Sequence, residues 1–204
     1  MSEKQSPSPY FPLHAALFEA GLAIAAFVLG WLFNQAPWES FRPTARPVAL
    51  GVAAVLPLLA LLWACQRLEW KPLQAVWRVL NEVVIPLFRN CNWVEIAAIC
   101  LLAGVGEELL FRGLLQTALA EWSSDFLPHT RAWAAVGDCG AVFAAAVVFG
   151  ALHAVNVAYA VLAALIGVYL GWLYYATGNL AVPVVAHGLY DFVALVYILK
   201  ARKI

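Results

Sequence analysis

Three groups of residues in this chain have types and spacings suited to acid-base chemistry. The first lies in Gly104-Val105-Gly106-Glu107-Glu108-Leu109-Leu110-Phe111-Arg112, where two carboxylates and a guanidinium interrupt an apolar run. The second is Phe149 followed four residues later by His153, and the third is His187 followed four residues later by Asp191. Four residues is one helical turn, so each pair shares a helix face. A carboxylate, a pair of histidines and a second acid are the side chains of general acid-base catalysis.

The setting makes these groups costly. The run from Trp93 to about Glu121 is apolar and free of proline, and reads as one bilayer-spanning helix with Glu107 near its middle. A charged side chain at that depth costs at least ~2.5 kcal/mol on insertion scales, and it marks a functional site unless something else explains it. Glu108 and Arg112, four apart, form a charge-assisted pair that lowers the cost of burying both. Glu107 falls on a neighbouring face with no local cation. The expected division of labour is therefore Glu107 for chemistry and Glu108 with Arg112 for architecture.

Each group also has a plainer reading. His153 near a span end is compatible with an interfacial histidine, and His187 with Asp191 is compatible with a buried pair that locks helix packing. Taken together the three groups argue against a purely structural network, because apolar side chains would pack more simply. Glu19, near the start of the first apolar run, is expected to snorkel or to pair locally. Asn156 and Asn179 read as turn residues, and His14 and His129 carry no signal.

The elements that must position these residues are membrane helices. The chain has 204 residues, 64% hydrophobic and 12% charged, with a mean hydropathy of +0.82. That composition lies far outside the soluble range and gives a polytopic membrane protein. Twelve basic and twelve acidic residues cancel, so nothing points to nucleic acid. Cys65, Cys91, Cys100 and Cys139 show no CxxC spacing and read as inert small hydrophobes. Trp31, Trp38, Trp63, Trp70, Trp93, Trp122 and Trp172 cluster near the ends of apolar runs, as an interfacial aromatic belt requires.

The predicted architecture is an all-α membrane helix bundle of about six transmembrane helices plus one interfacial helix. Residues 1–12 form a polar, proline-rich lead expected to be disordered, and 13–204 form one domain with a motif-bearing core at 93–199. Spans are predicted at about 13–33, 48–65, 93–121, 138–152, 157–175 and 180–199. The first is too long for a signal-peptide core and is expected to be retained, and Pro57 is a candidate kink in the second. The mixed apolar and charged stretch 72–88 is predicted to lie in the interface, and 122–137 to form an exposed polar loop. The short turns among the last three spans make them expected antiparallel neighbours. With six spans the termini share a side. Lys4, Arg67, Lys71, Arg78, Arg89, Lys200, Arg202 and Lys203 would lie there, against Arg42, Arg46 and Arg131 opposite. The positive-inside rule then makes both termini cytoplasmic.

Glu107-Glu108-x-x-x-Arg112, Phe149-x-x-x-His153 and His187-x-x-x-Asp191, in this order on successive spans, resemble the CPBP family of intramembrane glutamate-dependent endopeptidases. That family comprises the CAAX prenyl proteases of the Rce1 type and the bacterial bacteriocin-processing and immunity (Abi) proteins. The resemblance covers roughly residues 93–199. It implies a peptidase in which Glu107 activates a water, His153 helps to hold that water, and His187 with Asp191 stabilises the oxyanion. Family members end the last motif in asparagine or aspartate. Asp191 would then act either as a protonated donor or by orienting His187. The implied partners are a membrane-associated or lipidated peptide and the lipid bilayer, with a bacterial inner membrane as the expected location. No cofactor is expected; the alternative is zinc held by Glu107, His153 and His187. Two other functions compete. One is a proton- or ion-coupled transporter using the intramembrane Glu, His and Asp as a relay. The other is a catalytically silent immunity or scaffold protein.

Overall fold

A computed structural model describes residues 8–201, so most of the expected N-terminal lead, together with Arg202 and Lys203, lies outside the described residues. The described chain is helical, with α1 at Phe11–Leu32, α2 at Ala45–Arg67, α3 at residues 71–88 and α4 at residues 93–126. Then follow α5 at Arg131–Leu152, α6 at Val157–Thr177 and α7 at Ala181–Ala201. A 3-10 turn at Pro37–Ser40 lies between α1 and α2.

Local signals set most of the boundaries. Asn92 starts α4 with a capping box: its Oδ1 accepts from Val94 N (2.9 Å) and Glu95 N (3.0 Å), while Glu95 Oε2 accepts from Asn92 N (2.8 Å). Asn156 caps α6 through Tyr159 N (2.9 Å), and Asn179 accepts from Ala181 N at the start of α7 (3.0 Å). Gly178 ends α6 in the left-handed conformation, φ 58°, which glycine adopts without a Cβ penalty.

Five helices are long and apolar enough to cross a membrane: α1, α2, α5, α6 and α7. The charge-bearing α4 is continuous through residues 93–126, but its hydrogen bonding loosens to a π-helix at Leu109–Gln116, directly after the two glutamates. Such stretches concentrate at functional sites. Thr117 Oγ1 donates to Arg112 O here (3.0 Å), satisfying a carbonyl in the altered ladder. A π stretch also occurs in α3, at Leu80–Val84.

One expectation is corrected. The segment 122–137 is not a loop, because α4 runs on to Phe126 and α5 begins at Arg131, leaving only 127–130 between them. The polar residues that suggested a loop bond locally: Ser123 Oγ donates to Ala120 O and Ser124 Oγ to Glu121 O, both at 2.7 Å. Pro128 disfavours helix at Leu127, and Thr130 Oγ1 accepts from Trp133 N to start α5.

Contacts between connecting segments define two faces. On one, Trp77 Nε1 donates to Cys65 O (3.2 Å), Asn156 Nδ2 to Ala75 O (3.1 Å) and Tyr197 OH to Gln66 Oε1 (2.9 Å). Lys200 lies over the Trp93 ring there. On the other face, Gln35 Nε2 donates to Glu121 Oε2 (2.8 Å), Arg42 N to Asn179 Oδ1 (3.2 Å) and Leu180 N to Ser40 O (2.9 Å). Six helices, α1, α2, α4, α5, α6 and α7, therefore run from one face to the other, with α3 lying along the face that carries the start of α1 and the end of α7. The exposed tryptophans follow the same division: Trp63, Trp70 and Trp93 ring the first face, and Trp31, Trp38, Trp122 and Trp172 the second.

Inside the bundle α7 packs between α2 and α4, α1 packs on α4, and α5 pairs with α6. The expected α6–α7 neighbourhood exists but is the lesser of α7's contacts. Close approach depends on small residues. A Cβ on Gly104 would meet Val184 O at 2.9 Å and the Gly188 Cα at 3.1 Å, so α4 and α7 nearly touch beside the glutamates. A Cβ on Gly106 would meet the Glu19 carbonyl of α1 at 2.5 Å.

Candidate active site

The π stretch and the glycine contacts hold α4 so that Glu107 and Glu108 point to different surroundings. Glu108 is fully buried. Its Oε1 accepts from Arg112 Nη1 (3.0 Å) and lies 2.8 Å from His187 Nδ1. Arg112, 1% exposed, also donates from Nη2 to Gly167 O of α6 (3.0 Å), and its guanidinium lies over the Phe149 ring, 4.8 Å from the centroid. One turn on, Gln116 Nε2 donates to Gly171 O (3.1 Å). Arg112 and Gln116 thus reach two carbonyls a turn apart on α6, joining α4 to α6.

Glu107 is 8% exposed and lines a cavity of about 410 Å³. Its Oε2 is buried and has no hydrogen-bond partner in the protein. That oxygen lies 3.8 Å from His153 Nε2 and 3.9 Å from His187 Nε2. Both distances are too long for a direct hydrogen bond and suit one water shared between the groups.

The two histidines are oriented from behind. His153 follows the last turn of α5 and its Nδ1 lies 2.8 Å from Phe149 O. Its ring packs against Phe149 at a centroid distance of 4.3 Å. His187 presents Nδ1 to Glu108, leaving Nε2 toward Glu107 and toward Asp191 Oδ2 (3.3 Å). The position that a carboxylate occupies behind a catalytic histidine belongs here to Glu108, and Asp191 lies at the opposite nitrogen.

Every residue singled out on α4, α5 and α7 therefore meets in one place. Phe149 packs at a tilt against His153 and edge-on to His187, and Glu107, Phe149, His153, His187 and Asp191 line the same cavity. The remaining walls come from Glu19 of α1, Leu61 and Cys65 of α2, Trp77 and Leu80 of α3, and Tyr159 of α6. These positions place the cavity in the half of the bundle nearest the face carrying both ends, with α3 across it. Glu19, expected to snorkel or to pair locally, instead lines the cavity with its Oε2 buried and unpartnered, and the inner face of α3 was not expected at the site. A carboxylate in an apolar run was the available signal for Glu19, and the apolar positions alternating with charges in 71–88 for α3.

A zinc ion would draw on Glu107, His153 and His187. At His187 only Nε2 could ligate it, since Nδ1 faces Glu108 as the second nitrogen of a ligating histidine does, and Asp191 Oδ2 already lies 3.3 Å from that Nε2. Among the described residues no group of three His, Cys, Asp or Glu side chains is disposed to hold a metal ion.

The family model described as type II CAAX prenyl endopeptidase Rce1-like matches residues 89–193, just over half of the chain. The chain belongs to this Rce1-like family. No curated protein and no solved structure matches the chain. The matched span holds Glu107, Glu108, Arg112, Phe149, His153, His187 and Asp191, and α1, α2 and α3 precede it. Together with the apolar helices, membership makes this an integral membrane protein of a protease family.

Proposed function

We propose that this protein is an intramembrane endopeptidase that hydrolyses a peptide bond in a membrane-associated or lipidated peptide, a prenylated peptide being the class its family suggests. The observation that carries this reading is the Glu107 Oε2 atom, buried, without a protein partner, and within 4 Å of Nε2 of two histidines.

In the proposed reaction, Glu107 takes a proton from a water that His153 helps to hold, and the water oxygen attacks the scissile carbonyl carbon. The oxyanion forms toward the Nε2–H of His187, with Asp191 beside it, a second donor when its carboxyl carries a proton. Glu107 then returns its proton to the leaving nitrogen as the C–N bond breaks. Glu108 keeps His187 in orientation through Nδ1 and is itself neutralised by Arg112. The reaction draws on no cofactor.

Purified protein incubated with a membrane-peptide library that includes farnesylated CAAX peptides tests this, with cleavage positions mapped by mass spectrometry. Defined cleavage sites are expected. A relay transporter or a silent scaffold protein would leave every peptide intact, and that result would overturn the reading.

A further inference from the structure

Glu19 has no role in the reaction described so far. It sits on α1, outside the span that matches the family, yet it lines the same cavity as Glu107, His153, His187 and Asp191. Helix α1 reaches this depth because Gly106 has no side chain: a Cβ there would meet the Glu19 carbonyl at 2.5 Å. The residue directly before the proposed base thus seats the backbone of Glu19.

Among the described residues, five side-chain oxygens are buried without a hydrogen-bond partner, and two of them, Glu107 Oε2 and Glu19 Oε2, belong to residues that line the cavity. A buried acceptor left without a donor costs on the order of 1–3 kcal/mol, so such atoms in a cavity are matched to a guest. Glu107 has the attacking water. The other polar centre of the reaction is the scissile nitrogen, an N–H donor in the substrate and an amine once the bond breaks. The histidines and Asp191 are taken up with the water and the oxyanion, and Trp77 Nε1 is spent on Cys65 O; Tyr159 and Tyr190 also line the cavity but offer hydroxyls, weaker acceptors for an amine than a carboxylate.

We propose that Glu19 is a substrate-contacting residue whose carboxyl receives the scissile nitrogen, accepting its N–H in the bound peptide and holding the amine of the leaving fragment. No bond to Glu19 forms or breaks; the nitrogen takes the proton that Glu107 removed from water. This inference rests on the endopeptidase reading above and adds a specificity contact from a helix the family match does not include.

The test uses the full-length protein with an internally quenched farnesylated CAAX peptide, comparing wild type, Glu19→Gln, Glu19→Ala and Glu107→Gln. The leaving fragment, with its free α-amino group, is added as a product inhibitor. Glu19→Ala is expected to lower kcat/KM roughly 10- to 100-fold and to weaken inhibition by the leaving fragment, while an N-acetylated fragment inhibits wild type poorly. Glu19→Gln, isosteric and still an acceptor, is expected to recover part of the rate. Wild-type kcat/KM and unchanged product inhibition in both Glu19 variants would overturn the inference, as would a loss that only tracks the folded fraction measured by thermal unfolding. Full activity of Glu107→Gln would instead overturn the endopeptidase reading, so the two failures are distinguishable.

Discussion

Glu107 and Glu108 are neighbours in sequence with opposite environments. Glu107 faces the cavity without a protein partner, and Glu108 is enclosed by Arg112 and His187. Substitutions should therefore separate. Arg112→Met leaves the Glu108 carboxylate buried without its cation, and thermal or denaturant unfolding is expected to show a loss of about 3–5 kcal/mol. Asp191→Asn is expected to retain cleavage activity, because an amide supplies the same donor at the His187 Nε2 edge. If Asp191 instead aligned His187, kinetics of this variant would show collapse, yet Glu108 already occupies Nδ1. The three motifs were legible because each breaks an apolar pattern at helical spacing. The hydrogen bond from His187 Nδ1 to Glu108 was not, since it joins residues 79 positions apart whose rotation about two helix axes no local pattern specifies.

At the scale of helices, the site depends on how closely they approach. Gly106→Leu would drive a side chain into the Glu19 carbonyl and push α1 away from α4. A loss of roughly 1–3 kcal/mol is expected from such overpacking, measurable by thermal unfolding, with reduced cleavage. Asn156 both caps α6 and holds Ala75 of α3. Asn156→Ala should cost about 1–2 kcal/mol as a lost cap and raise KM as α3 loses a tether over the cavity. Helix existence was readable from apolar run length, and the expected ends mostly fall within a few residues of those observed. The loop expected at 122–137 failed because Ser123, Ser124 and Asp125 are polar in composition but helical in context, at the water-facing end of α4. The π stretch at Leu109–Gln116 left no mark in the sequence, although Arg112 and Gln116 within it both reach carbonyls of α6.

Across the whole molecule, the six crossings and the position of the cavity put the proposed chemistry next to the face that carries both ends. Arg67, Lys71, Arg78, Arg89 and Lys200 lie on that face, and on the positive-inside rule we propose that it is the cytoplasmic one. A C-terminal reporter is expected to be protected from external labelling until cells are opened, and free labelling of intact cells would reverse the topology. The pairing of helices was less legible than their number, because apolar runs state that a helix crosses but not which neighbour it meets. That α7 lies between α2 and α4 follows from Gly51, Gly104 and Gly188, whose significance appears only when the backbones are adjacent. The most direct measurement of the central claim is the cleavage rate of Glu107→Gln, in protein shown by thermal unfolding to be folded. The account predicts a loss of roughly 100-fold or more, the scale of a missing general base, with unfolding unchanged or shifted upward. A folded Glu107→Gln protein cleaving at the wild-type rate would contradict it.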